Sequence, residues 1–122
     1  MSARNKILIV DDEVKACNIL KDYLEKLFEV DVAHDGQQAL KIIEEFQPNC
    51  VLLDYKMPDM DGLEVLDLIV PKHPDLKIIM VTAIGEVSLG AKCIVQGAHD
   101  FIVKPVNLDE LKGKILSALE YQ

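Results

Sequence analysis

The chain alternates between two patterns of apolar residues. The first is a short, almost unbroken apolar run: Ile7 to Val10, Val30 to Ala33 with Asp31 inside it, Cys50 to Leu53, Ile78 to Val81, and Phe101 to Val103. Runs of this length, rich in β-branched residues, are expected of strands covered on both faces. The second run alternates with polar positions, which predicts a sheet edge. The other pattern repeats every three or four residues and puts apolar side chains on one helix face. It appears in Cys17, Leu20, Leu24 and Leu27; in Leu40, Ile43 and Phe46; in Leu63, Leu66 and Ile69; and in Leu108, Leu111, Ile115 and Leu119.

Punctuation sharpens the helix ends. Asn107 followed by Glu110 predicts a capping box at the last helix, and Asp35 with Gln38 predicts another. Pro48 and Pro74 close the second and third helices. The segment from Gly85 to Gly97 is predicted to be the loosest helix, since it holds three glycines among β-branched residues. Strand followed by helix, five times over, requires right-handed crossovers between parallel strands. The expected fold is α/β: a doubly wound, five-stranded parallel sheet in a three-layer sandwich, with residues 1–122 as one domain and no output domain in this chain.

Composition narrows the function. A net charge of -8 makes nucleic acid a poor partner, because phosphates are repelled. Three cysteines without a close pair suit a reducing compartment. The N-terminal apolar stretch is too short for a signal peptide, and no run reaches the ~20 residues that span a bilayer. A cytoplasmic protein without membrane insertion is expected. The histidines at 34, 73 and 99 fall in predicted loops, where surface positions are expected.

The chemistry lies just beyond the apolar runs. Asp11, Asp12 and Glu13 follow the first, Asp54 the third, Thr82 the fourth, and Lys104 with Pro105 the fifth. In an open parallel sheet these carboxyl ends share one edge, where ligands bind. Several carboxylates brought together raise one another's pKa and call for a cation. Lys104 supplies one charge, and a hard divalent ion such as Mg2+ suits a few carboxylates with water. A metal, a lysine and a threonine hydroxyl around one aspartate make a phosphoryl-transfer site, with Asp54 as nucleophile.

The segments LIVDDE, LLDYKMPDMDGLEVL, IIMVTA and GAHDFIVKP together resemble the receiver domain of two-component response regulators over nearly the whole chain. That resemblance implies a flavodoxin-like sheet of order 2-1-3-4-5. It implies that Asp12 and Asp54 ligate Mg2+ directly, that Asp11 acts through water, and that the Lys56 backbone carbonyl completes the protein ligands. Thr82 and Lys104 would contact the phosphoryl group on Asp54, Phe101 would change rotamer with Thr82, and the Lys104–Pro105 bond would be cis. The donor would be a sensor histidine kinase or a histidine phosphotransfer protein, and the reader a downstream output protein or domain. The chain would be a signalling switch that catalyses only its own phosphorylation and slow dephosphorylation.

Lys56 and Ile84, each two residues beyond a site residue, are expected to shield the path of a hydrolytic water and lengthen the phosphoryl lifetime. A salt bridge from Lys56 to the acidic cluster is the alternative. Two other classes fit less well. An aspartyl-phosphate phosphatase would place an aspartate where Lys56 stands. A flavin carrier would need a hydroxyl- and glycine-rich loop in place of DDEVKA to hold phosphate by backbone donors.

Overall fold

The computed structural model describes residues 4–120, the side chains of Ile84 and Val87 excepted. Five parallel strands, β1 (Lys6–Val10), β2 (Glu29–Ala33), β3 (Cys50–Asp54), β4 (Lys77–Thr82) and β5 (Asp100–Val103), form one sheet in the order β2-β1-β3-β4-β5. The connecting helices are α1 (Val14–Leu24), α2 (Gly36–Phe46), α3 (Gly62–Ile69), α4 (Val87–Val95) and α5 (Leu108–Glu120), with one 3-10 turn, Ile84–Glu86, ahead of α4. This is the flavodoxin-like arrangement expected from the sequence.

Side-chain alternation explains why the strand runs are continuous. Ile7, Ile9, Cys50, Leu52, Ile79 and Val81 pack with Cys17, Leu20, Leu111 and Ile115 on the face carrying α1 and α5. Leu8, Val10, Val51, Leu53, Ile78 and Met80 pack with Ile43, Val65, Leu66, Ile69 and Cys93 on the face carrying α2, α3 and α4. Strand β2 is the edge, and only its last residue, Ala33, is fully buried. Burial at both faces leaves no polar position in β1 after Lys6 or in β3 before Asp54.

Several local expectations need correction. Leu27 is not on the buried stripe of α1, because the helix ends at Leu24 and the turn beyond it leaves Leu27 exposed. Phe28 takes the inward position instead. In α2 the buried centre is Ala39 and Ile43, with Leu40 only partly covered. Asp35 does accept the Gln38 N–H, at 2.7 Å, but the Gln38 amide oxygen reaches past it to the His34 N–H at 2.6 Å. A full capping box stands at α3, where Asp61 and Glu64 accept each other's backbone N–H. Its D-x-x-E spacing is plain in the sequence.

Gly62 serves close approach rather than a left-handed turn. A Cβ there would stand 2.9 Å from the Asp54 carbonyl oxygen and 2.8 Å from the Met80 methyl. The first turn of α3 therefore rests directly on the end of β3, with the Gly62 N–H donating to the Tyr55 carbonyl at 2.6 Å.

Candidate functional site at the carboxyl edge of the sheet

Asp54 is the last residue of β3 and is 5% exposed. Asp11 and Asp12 follow β1, the first buried and the second exposed. One carboxylate oxygen from each of the three falls within 4.8 Å of the others. The Lys104 ammonium lies 3.1 Å from Asp54 Oδ2 and 4.0 Å from Asp11 Oδ2. The residues that strand ends placed at one edge thus meet in space.

The backbone fixes this meeting. The Asp11 N–H donates to the Ala33 carbonyl at 3.0 Å, the Tyr55 N–H to Val81 at 3.0 Å, and the Lys104 N–H to Thr82 at 2.7 Å. Each bond carries the parallel ladder one step past the apolar run, so each functional residue leaves the sheet in a defined direction. Asp11 Oδ1 accepts the Glu13 N–H at 2.9 Å, which turns the loop toward α1. The bond between Lys104 and Pro105 is cis.

The Lys104 ammonium serves two of the three carboxylates, Asp54 and Asp11, and burial and crowding both act on Asp54. Burial first, then the Asp11 charge, pushes the Asp54 carboxyl up to about 6, against the opposing pull of Lys104. Lys104 itself is held above the ordinary lysine range: burial works to lower it, and the charge and hydrogen bond of Asp54, with Asp11, outweigh that. The two shifts agree. Lys104 is well paired, but one cation is too few for Asp54. The shortfall of charge around these oxygens is about that of one divalent ion, and an all-oxygen donor set suits Mg2+.

Thr82 adds a second mark of incompleteness. It ends β4, one residue beyond Val81, the register partner of Asp54. It is fully buried, and its hydroxyl oxygen has no hydrogen-bond partner among the described residues. A buried hydroxyl without a partner costs free energy, and native structures rarely keep one without a use.

Other residues are placed differently from expectation. Lys56 is 77% exposed, and its ammonium pairs with Glu86 at 3.3 Å, not with the acidic cluster. A flexible exposed side chain takes the nearer carboxylate on the neighbouring loop, and sequence spacing gave no hint of Glu86. Ile84 begins the 3-10 turn before α4, and its side chain is outside the described residues. Phe101 is half-buried on β5 with its ring over Gly90 of α4. His34 is not a plain surface residue: its Nδ1 lies 3.0 Å from the Asp11 carbonyl oxygen, which the buried Cys17 thiol also approaches at 3.3 Å. Burial, then the nearby acidic charges, raises that thiol to about 11, so it supports the loop as a neutral donor. His73 pairs with Glu44 at 3.1 Å at the far edge, and His99 is exposed.

The sequence reading missed Asp59. Its two carboxylate oxygens accept the Gly36 and Gln37 N–H groups at 3.0 Å each, capping α2 from another loop. The Lys56-bearing loop is thereby tied to the helix dipole of α2. No local signal marks this, because the cap is 23 residues away in sequence.

The model of the response regulator receiver domain family matches residues 7–116. The chain is 42% identical over 117 residues to the chemotaxis protein CheY of Listeria monocytogenes, covering 94% of this chain and 95% of that protein. It is 40% identical over 116 residues to the transcriptional regulatory protein SrrA of Staphylococcus aureus, covering 94% of this chain but only 48% of SrrA. Among solved structures, the CheY-like response regulator receiver domain protein from Methanospirillum hungatei JF-1 superposes with a TM-score of 0.91 at 35% identity, covering 97% of this chain and 95% of that one. The chain belongs to the response regulator receiver domain family of two-component systems. Receiver domains are signalling switches, and they bind Mg2+ at an acidic pocket. Asp11, Asp12 and Asp54 form such an acidic group here.

Proposed function

We propose that this chain is the phosphoacceptor of a two-component or phosphorelay pathway, with Asp54 as the residue phosphorylated. The observation that carries this is the uncompensated charge at Asp54: a buried carboxylate with two acidic neighbours and one lysine. The donor is a phosphohistidine on a sensor histidine kinase or a histidine phosphotransfer protein. An Asp54 carboxylate oxygen attacks phosphorus, the P–N bond to imidazole breaks, and imidazole leaves with a proton. No base is needed, because a carboxyl group of pKa about 6 is ionised at neutral pH.

Asp12 and Asp54 would hold Mg2+ directly, Asp11 would act through water, and the Lys56 carbonyl would complete the set. The bound ion supplies positive charge to the transferring oxygens. Lys104, 3.1 Å from Asp54 Oδ2, neutralises a phosphoryl oxygen, and the Thr82 hydroxyl gains the acceptor it lacks. Movement of Thr82 frees Phe101 to change rotamer, which alters the surface of α4 and β5 read by a downstream protein or output domain. Lys56 and Ile84 set the lifetime of the acyl phosphate by limiting water access. The domain works in the cytoplasm, neither inserts into membranes nor binds nucleic acid itself, and catalyses only its own phosphorylation and slow dephosphorylation. Among the described residues no helix is long and apolar enough to cross a membrane.

Incubation with acetyl phosphate, followed by intact mass, tests this. Wild type with Mg2+ gains one phosphoryl adduct, while Asp54→Asn and the magnesium-free sample gain none. An adduct on Asp54→Asn overturns the assignment. Replacing Lys56 by Asn together with Ile84 by Ala shortens the adduct's half-life; an unchanged half-life removes the lifetime role.

A further inference from the structure

Gly90 lies in the middle of α4, where glycine weakens a helix relative to alanine. Its surroundings explain the choice. A Cβ built on Gly90 would stand 2.6 Å from Cδ2, 2.8 Å from Cγ and 2.9 Å from Cε2 of the Phe101 ring. An aromatic ring cannot bend aside; it must rotate about its side-chain torsions, or α4 must move. The backbone under the ring is held. Phe101 is opposite the fully buried Met80 in the β4–β5 ladder, and its N–H donates to the Asp100 carboxylate at 2.7 Å. The torsion of the ring is therefore the soft coordinate.

The same ladder pairs Thr82 with Val103. Alternation puts Met80 and Thr82 on one sheet face, together with their neighbours Phe101 and Val103. Met80 packs with Cys93 of α4, so this is the face that α4 covers. The orphan hydroxyl of Thr82, the Phe101 ring and the bare Cα of Gly90 thus lie along one side of the sheet.

We propose that Gly90 is a positioning residue of the switch: the space left by its missing side chain is the seat of the Phe101 ring. Ring torsion and the approach of α4 to the sheet are then set together. This rests on Thr82 and Phe101 being the switch pair. A methyl group at position 90 displaces the ring with no phosphoryl group present. Gly113 in α5 is the natural control, since a Cβ there meets nothing within 4 Å.

Full-length Gly90→Ala and Gly113→Ala are compared by urea unfolding, in wild-type and Phe101→Ala backgrounds. The Phe101 ring signal is followed by carbon-13 NMR in phenylalanine-labelled protein, with and without beryllofluoride and Mg2+. Gly113→Ala is expected to raise the unfolding midpoint and Gly90→Ala to lower it, and the second effect reverses sign when Phe101 is Ala. In Gly90→Ala without beryllofluoride the ring signal shifts, and the further shift on adding beryllofluoride falls at least twofold below that of wild type. An unshifted ring, or a midpoint raised as in Gly113→Ala, overturns the proposal. If Gly90→Ala does not fold, a folded Gly90→Ala/Phe101→Ala double variant supports the seat and an unfolded one overturns it. A wild type blind to beryllofluoride counts against the Asp54 assignment, while the ring shift in unmodified protein still decides the role of Gly90.

Discussion

The two edges of the sheet are built from the same materials and end in opposite conditions. At the amino edge the polar groups meet one another. The Asn49 side chain accepts the Lys6 N–H at 2.8 Å, and the Asn49 N–H donates back to the Lys6 carbonyl at 2.8 Å. The Lys6 ammonium reaches the Phe46 carbonyl at the end of α2 at 3.2 Å, a favourable place for a cation. At the carboxyl edge three carboxylates meet, one lysine pairs with two of them, and a buried hydroxyl has no partner among the described residues. Cavity size points the wrong way. A hollow of about 400 Å³ lies at the amino edge beside Asn49 and His73, while the one beside Asp54 and Lys104 is about 230 Å³. Unmet charge, not volume, marks where a ligand is needed.

The largest expected break in this contrast is Lys104→Met. Loss of one preorganised charge at a transferring group costs on the order of 10²–10³ in rate. The initial rate of phosphorylation by acetyl phosphate should fall by about that factor, and a loss below tenfold would make Lys104 a structural residue only.

Asp54→Asn should have the next largest effect, now on stability without metal. The folded carboxyl titrates at about 6 and the unfolded one near 4, so the native state holds its proton more tightly. Wild-type stability from this group is complete below about pH 4 and is lost as pH rises through 6. Asp54→Asn removes that loss, so at pH 7.5 and without Mg2+ it should be more stable by about 1–3 kcal/mol, with the difference fading below pH 4. Urea midpoints across this range check it, and a difference independent of pH contradicts the charge imbalance.

A balanced edge should respond in the opposite sense. Asn49→Ala leaves the Lys6 N–H without its partner and should destabilise by about 1–2 kcal/mol at every pH, with phosphorylation kinetics unchanged. The smallest effect is expected at Thr82→Val. It removes an unpaired buried hydroxyl with little change of shape, so stability should stay within about 1 kcal/mol of wild type or rise. The response of the Phe101 signal to beryllofluoride should nevertheless be lost. A clear fall in stability would mean that the hydroxyl has a partner after all.

Much of the site was legible because strand ends are legible. The apolar runs end at the carboxyl edge of the sheet, and the residue that follows each is polar even where it is buried; Asp11, Asp54 and Lys104 announce themselves that way. Thr82, which ends β4 as Asp54 ends β3, stands out by the same rule, but only the structure shows that its hydroxyl has no partner among the described residues. The roles that escaped notice are contacts between distant segments. Asp59 caps α2 from another loop, Glu86 takes Lys56, and His34 reaches the Asp11 carbonyl. Leu27 misled for a local reason, since periodicity continues past the residue at which the chain leaves the helix. Gly90 reads in the sequence only as softness in α4, and the structure adds that its bare Cα faces the Phe101 ring.

By itself the sequence determined the layered α/β architecture, the parallel strand runs and the family, because apolar periodicity and residue order are one-dimensional properties. It also placed the acidic residues at one edge, since a parallel sheet with right-handed crossovers leaves no other arrangement. Only the tertiary structure decided which two carboxylates are buried, that one lysine serves both, and that Thr82 has no partner among the described residues. Desolvation and distance between segments fix those quantities, and neither exists until the chain has closed around the site.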